Sequence, residues 1–287
     1  MDVYEIITDR IIEKLEAGTI PWHKPWSGGD GIPKNLITKK EYRGINVFML
    51  GVSGWGSSYW LSYKQAQELG GCVKKGEKGT PVVFWKWLTS KKEDESDEKN
   101  FPMLRYYTVF NVEQTEGIDE KKIPSLAIKY NKIERLEQCE AITANMPKKP
   151  MLTFNEQRAY YSPTLDYVNM PKRKTFTSSE EYYSTLFHEL THSTGHASRV
   201  NRKGIDCPDG SWSSFGSVPY AKEELVAEMG ASFLCGICQV ENKTIDNSAA
   251  YIKSWLRKLK DDKKMVIMAA AQAQKAVDFI LGKPAMV

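Results

Sequence analysis

The pentapeptide His188-Glu-Leu-Thr-His192 constrains this chain more than any other feature. It lies in a stretch whose start is predicted by the capping box Ser178-Ser-Glu-Glu181 and whose end is predicted by Gly195. Histidines four residues apart lie on one face of a helix, where both imidazoles can bind one zinc ion. Glu189 follows the first histidine, where it can take a proton from the water that such a site activates. A catalytic zinc site also needs a third protein ligand and one open position.

The stretch Lys222–Glu228 is a source of the third ligand. Glu224 and Glu228 lie one helical turn apart, so one can bind zinc while the other orients a ligand histidine, and Glu223 points about 100° away. The arrangement resembles the gluzincin peptidases, which implies Glu224 as the ligand and Glu228 as its acidic partner. His196 is the competing ligand, but it directly follows a glycine, unlike the third histidine of metzincins. We expect His196 to line the cleft as a hydrogen-bond donor.

Basic and aromatic residues are concentrated in the first part of the chain. The net charge is only +4, but window 31–90 contains nine basic and three acidic residues, a balance of +6. Six of the eight tryptophans lie before residue 90. Aromatic rings stack on unpaired bases while basic side chains contact phosphates, so this composition is compatible with a single-stranded DNA-binding surface, and the core of a small domain is the alternative that composition alone favours. The residues predicted to contact DNA are Trp22, Trp26, Trp60, Lys39, Arg43 and Lys75.

The remaining pattern predicts an α+β protein of two domains, 1–125 and 126–287. Two strands around the acidic run 91–99 predict a β-hairpin, and alternation in Val82–Leu88 predicts that one of its faces is core. The second domain is predicted to be mainly helical. Five scattered cysteines, no secretion signal and no apolar stretch of 18 residues favour a cytoplasmic protein that does not cross a membrane.

Two sets of motifs, one in each half, are typical of a known family. The first half contains Pro33-Lys-Asn35, Tyr42-Arg-Gly-Ile-Asn46, Trp60-Leu-Ser-Tyr-Lys-Gln-Ala66 and Lys75-Gly-Glu-Lys-Gly79. The second contains Tyr182-Tyr183, His188-Glu-Leu-Thr-His-Ser-Thr-Gly-His196, Arg199 and Glu223-Glu-Leu-Val-Ala-Glu228. On these residues the chain resembles ArdC-type antirestriction proteins over nearly its whole length.

The resemblance implies a bacterial protein of plasmids or other mobile elements that binds single-stranded DNA without sequence preference. It also implies a zincin-like metallopeptidase domain with one zinc ion per chain, and a host protein is the substrate class that such a domain suggests. A zinc metallopeptidase is the favoured interpretation. Two alternatives stay open: a DNA-binding protein whose zinc is structural, and a free-standing metallopeptidase whose first domain recruits protein.

Overall fold

The structure is a computed structural model that describes residues 2–23, 31–90, 99–124, 132–202, 218–243 and 249–284. The helices within these residues are α1 Val3–Glu16, α2 Ile45–Gly51, α3 Tyr63–Glu68, α4 Lys132–Asn145, α5 Ser179–Ser193, α6 Val218–Cys238, α7 Ala249–Asp261 and α8 Met265–Ile280. The strands are β1 Lys34–Asn35, β2 Tyr59–Leu61, β3 Cys72–Val73, β4 Thr80–Ser90, β5 Lys99–Asn111, β6 Thr115–Glu116, β7 Met151–Thr153, β8 Tyr160–Ser162 and β9 Tyr167–Asn169.

The first half is built around a four-stranded sheet with the strand order β1-β2-β5-β4. Strand β1 is parallel to β2, whereas β2 and β4 are both antiparallel to β5. The β4–β5 hairpin pairs from Thr80 with Val109 to Ser90 with Lys99, which confirms the predicted hairpin. Strands β3 and β6 form a separate antiparallel pair, and the second half contributes the small sheet β7-β9-β8. The fold is α+β, as predicted.

The β4–β5 hairpin is buried at its base and at Leu104 in the middle of β5. Val82 and Leu104 are buried, whereas Phe84, Trp85 and Trp87 are exposed on alternating faces of β4. The prediction that one face of Val82–Leu88 is core is therefore wrong for Phe84, Trp85 and Trp87. These three residues are exposed although they belong to both faces of the strand.

Helix α5 begins and ends close to where the sequence predicts. Its N-cap is Ser178, whose side chain accepts a hydrogen bond from the Glu181 N–H at 3.1 Å. The Glu181 carboxylate accepts from the Thr177 N–H at 2.8 Å rather than from Ser178, so the capping box is not reciprocal. Helix α6 packs along α5 and against α8, and this packing brings the two predicted metal-binding segments together.

The largest hydrophobic core contains residues from both halves of the chain. Helix α1 packs on α7, and the rings of Phe48 in α2 and Phe233 in α6 stack with their centroids 4.8 Å apart. Trp22 is fully buried with its ring edge-on to Trp255 at 5.9 Å. The division at residues 125 and 126 stays a prediction, but these contacts show that the sheet-bearing half and the helical half share one core.

Candidate metal centre

Three side chains from α5 and α6 converge on one point. Their ligand atoms, one each from His188, His192 and Glu224, all lie within 4.8 Å of one another. The Nε2 atoms of His188 and His192 are 3.1 Å apart. The Glu224 carboxylate oxygens lie 3.6 Å from His188 Nε2 and 3.4 Å from His192 Nε2. The predicted histidine pair and the predicted glutamate are thus neighbours in space.

The donor set fits a divalent metal ion. Tetrahedral ligands held at 2.0–2.1 Å from zinc lie about 3.3 Å from each other, close to the observed separations. Two imidazoles with one carboxylate also leave one position open, as in catalytic zinc sites. Burial raises the pKa of Glu224, but hydrogen bonds from both histidines outweigh it and keep that pKa below its usual range. The carboxylate is therefore ionised and available as a ligand at neutral pH.

Glu223 is the weaker ligand candidate on the sequence, because it points away from Glu224 and Glu228. In the structure it holds the ring of His192. Its Oε1 lies 3.2 Å from His192 Nδ1, and its Oε2 accepts from Arg202 Nε at 3.1 Å. Arg202 is buried and also donates to the Thr191 carbonyl at 2.9 Å and to the Thr194 hydroxyl. A carboxylate on the second ring nitrogen fixes the tautomer and orientation of a ligand histidine. The unusual burial of an arginine after the histidine motif is visible only in three dimensions.

Charge is balanced within this buried cluster. Burial raises the pKa of Glu223, but the Arg202 guanidinium and His192 bring it below the usual range. Burial lowers the pKa of His192, but Glu223 and Glu224 together raise it to about 10. Without a metal ion the two carboxylates thus hold a proton on His192, and a bound cation would replace that proton.

Glu228 lies on the same face of α6 as Glu224 but contacts different groups. Its carboxylate accepts from Trp22 Nε1 at 2.9 Å and from the Tyr251 hydroxyl. The buried Nδ1 atom of His188 has no hydrogen-bond partner among the described residues. The expectation that Glu228 orients a ligand histidine is therefore not met by its hydrogen bonds, because Trp22 and Tyr251 occupy the carboxylate.

Glu189, the predicted proton acceptor, and His196, the competing ligand, lie in different surroundings. Glu189 is buried, with 8% of its surface exposed, beside the ligand group on α5. His196 lies in the turn after α5, where its Nδ1 is 2.8 Å from the Ser198 hydroxyl. His196 is not part of the ligand group formed by the described residues, so the geometry favours Glu224 over His196 as the third ligand.

Two family models match separate parts of the chain. Residues 1–110 match the model of the N-terminal domain of anti-restriction factor ArdC, and residues 137–272 match a zincin-like metallopeptidase model. The metal-free crystal structure of the antirestriction protein ArdC from plasmid R388 is 42% identical with a TM-score of 0.76, covering 98% of this chain and 97% of that one. The chain belongs to the ArdC antirestriction family.

Further relatives of this ArdC-family chain are plasmid-related or similar in length. The Mn(II)-bound structure of R388 ArdC matches with a TM-score of 0.75 and 42% identity, covering 98% of each chain. Protein y4eC of Sinorhizobium fredii is 33% identical over 97% of this chain and 91% of its own length. A DNA primase TraC of Escherichia coli is 37% identical over 97% of this chain, which spans only 20% of that protein.

The ArdC-type N-terminal half places the predicted DNA-contacting residues in very different surroundings. Trp22 and Trp60 are buried with 0% and 1% of their surfaces exposed, so neither ring can stack on a base, and the prediction is wrong for both. Arg43 is partly exposed and pairs with Asp278 of α8. Lys39 and Lys75 are exposed. Trp26 lies outside the described residues.

Most of the exposed aromatic side chains among the described residues lie instead on the β4–β5 hairpin, and only Tyr63 and Phe154 of that set lie elsewhere. The exposed fractions are 64% for Trp87, 42% for Trp85 and 43% for Phe84, and across the hairpin 47% for Tyr106 and 43% for Tyr107. Alternation alone could not assign the two tryptophans, because both faces of β4 carry aromatic residues. The length of the predicted hairpin was the one available signal. No helix among the described residues is long and apolar enough to span a membrane.

Proposed function

We propose that this protein acts in antirestriction by binding single-stranded DNA without sequence preference, and that it holds one divalent metal ion at His188, His192 and Glu224. The observation that carries the DNA assignment is the hairpin with exposed aromatic rings. Five large aromatic side chains exposed on one hairpin indicate a binding surface, because large exposed apolar areas mark interaction sites. Base stacking uses the ring face and reads no sequence.

The arrangement of the rings supports stacking on successive bases. Trp85 and Trp87 lie two residues apart on β4, so they share one face about 6.7 Å apart. Tyr106 lies on the same face, because it pairs directly with Val83. Exposed Lys86 and Arg105 lie on the opposite face, where they supply positive charge beside the rings of Phe84 and Tyr107. Rings with adjacent cations are the components of sequence-neutral single-strand binding.

A fluorescence-anisotropy titration of the full chain with labelled (dT)20 tests the DNA assignment. We expect affinity to fall as salt rises and to differ little between thymine, adenine and mixed-sequence oligonucleotides. Trp87→Ala should weaken binding by about 1–3 kcal/mol, as for the loss of one stacked base. Phe154→Ala is the matched control, since Phe154 is 43% exposed outside the hairpin. Equal losses in the two variants, or no binding by the wild type, would refute the assignment.

The donor chemistry supports zinc as the metal, and Mn(II) is the competitor. Two imidazoles and a carboxylate form a common catalytic zinc set, and zinc binds such ligands more tightly than manganese. R388 ArdC has been crystallised with Mn(II), so both metals belong in the test. Metal analysis of purified protein should give one equivalent per chain, and His188→Ala should abolish it. Full metal content in that variant would exclude the site.

Peptide-bond hydrolysis is the second candidate function, and buried Glu189 beside the ligand group favours it. A metal of this kind polarises a carbonyl and lowers the pKa of water. Glu189 is then the general base that accepts the proton of the attacking water and passes it to the leaving amine. Glu189→Gln should keep metal and stability but lose hydrolysis of a peptide library. If the variant retains full antirestriction in cells, the zinc serves the fold and peptidase chemistry is not part of that function.

A further inference from the structure

A cleft of about 700 Å³ lies between the hairpin of the first half and helix α8 of the second. Trp85 and Val83 of β4 line one wall, and Gln274 and Lys275 of α8 line the opposite wall. Lys283, just after α8, lines its end. The volume lies in the range of about 300–1,000 Å³ that holds small organic groups, which is large enough for one nucleotide unit.

The cleft is positively charged, and two of its basic side chains form no ion pair with the described residues. Four basic residues line it against one carboxylate, Asp278, which gives +4 − 1 = +3. Arg43 is paired with Asp278, and Arg199 is buried in a bidentate pair with Asp166. Lys275 and Lys283 are exposed and form no ion pair with the described part of the chain. The cleft therefore carries two exposed lysines from α8 and the segment after it, and the exposed Trp85 indole from β4.

The position of Trp85 connects the cleft to the outer hairpin. Trp85 and Trp87 share one face of β4, and only Trp85 lines the cleft. Asn46 of α2 fixes the base of this strand, because its side chain donates to the Val83 carbonyl at 2.8 Å and accepts from the Val83 N–H at 2.7 Å. The backbone of β4 is thus fixed two residues before Trp85, whose ring lines the cleft on the same strand face as the Trp87 ring farther out.

We infer that a DNA single strand stacked on the hairpin continues into this cleft, where Lys275 and Lys283 of the metallopeptidase-like half contact its phosphates. This inference rests on the proposed DNA-binding function and adds that both halves form the DNA site. The occupant is a polyanion with flat bases, because the cleft combines unpaired lysines on one wall with an exposed indole on the other. A neutral extended peptide has no charge for the lysines, and an acidic peptide has no base to stack on the indole.

The test is an anisotropy titration of the full chain with labelled (dT)20 at several salt concentrations. In the double variant Lys275→Gln/Lys283→Gln we expect a loss of affinity on the order of tenfold at 0.1 M salt. The slope of log K against log salt should become shallower by about 1.4, because two phosphate contacts are lost. Lys149→Gln/Lys253→Gln removes the same charge at exposed sites outside the cleft and should leave the slope unchanged.

Trp85 provides an independent measurement. Trp85→Ala should reduce affinity about 5- to 150-fold, and Trp85→Phe should restore most of it, because a ring remains for stacking. If Trp87→Ala weakens binding while the lysine double variant matches its control, the DNA function stands and the shared site is refuted, which leaves the cleft to another ligand such as a peptide. If wild type binds no single-stranded DNA, both the proposed function and this inference fail.

Discussion

At the residue scale, the ring of His192 is held by the buried Glu223–Arg202 pair. Glu223→Gln keeps the size of the side chain but leaves the Arg202 charge unpaired in a buried place, which costs about 3–5 kcal/mol. It also weakens the fixed hydrogen bond to His192 Nδ1, so we expect metal affinity to fall about 10- to 100-fold. Chelator competition measures the affinity, and urea unfolding measures the stability.

A second variant separates positioning from stability. Glu223→Gln/Arg202→Met removes both buried charges and should recover much of the lost stability. Because the carboxylate on His192 is still missing, the metal affinity should stay low. Recovery of wild-type affinity together with stability would show that Glu223 has only a structural role.

Glu228 makes the stability of the metal-free protein depend on pH. Burial raises its pKa to about 7, whereas in the unfolded chain it titrates near 4.5. Folding therefore takes up a proton between these values, and this contribution to stability is lost as pH rises from 4.5 through 7. Glu228→Gln keeps an oxygen acceptor for Trp22 and Tyr251 but does not ionise. We expect the free energy of unfolding of this variant to exceed that of the wild type by on the order of 3 kcal/mol at pH 8 and by about 1 kcal/mol at pH 5.

The measurement for Glu228 is urea unfolding in the presence of a chelator at the two pH values. The chelator matters because a bound cation nearby would favour the ionised carboxylate. Glu137→Gln, which changes an exposed carboxylate on α4, should show no such pH-dependent gain. A gain that is the same at pH 5 and pH 8 would contradict the titration of Glu228.

At the element scale, the site depends on how closely α5 and α6 approach. Gly230 of α6 lies against Thr191 of α5, and a Cβ atom at this position would overlap the Thr191 side chain. Thr191 precedes His192, so a shift of α6 would move Glu223 and Glu224 away from the histidines. We expect Gly230→Ala to destabilise the protein by about 1–3 kcal/mol and to weaken metal binding. The double variant Gly230→Ala/Thr191→Ser lacks the clashing Thr191 methyl group, so it should recover part of the stability and part of the metal binding.

Local sequence signals predicted the elements well where propensity and burial agree. The capping residues before α5 and the apolar spacing of α1 give helices with nearly the expected bounds. The faces of β4 were not predictable, because alternation indicates two faces but not which one another element covers. For the same reason the sequence does not separate Trp22 and Trp60 from DNA-contacting residues: a tryptophan has the same local pattern whether it packs in a core or stacks on a base.

At the scale of the whole molecule, the two halves share one core. Phe48 of α2 stacks on Phe233 of α6 and both rings are buried. Phe48→Ala should lower the free energy of unfolding by about 3–5 kcal/mol. Because α6 also carries Glu224, we expect the loss to appear in the helical half as well, with one cooperative urea transition seen by circular dichroism and by metal release. Two separate transitions, with metal release unaffected by Phe48→Ala, would show that the halves unfold independently.

The sequence by itself determined the candidate metal ligands of this protein, and the tertiary structure decided how they are held. The histidine pair, Glu189 and Glu224 are readable because the periodicity of a helix fixes which side chains share a face. The contacts of Glu223 with His192 and Arg202, the diversion of Glu228 to Trp22 and Tyr251, and the exposure of the hairpin aromatics are not readable in this way. Each depends on which distant element packs nearby, and the free energy of that packing is a property of the assembled core rather than of any local segment.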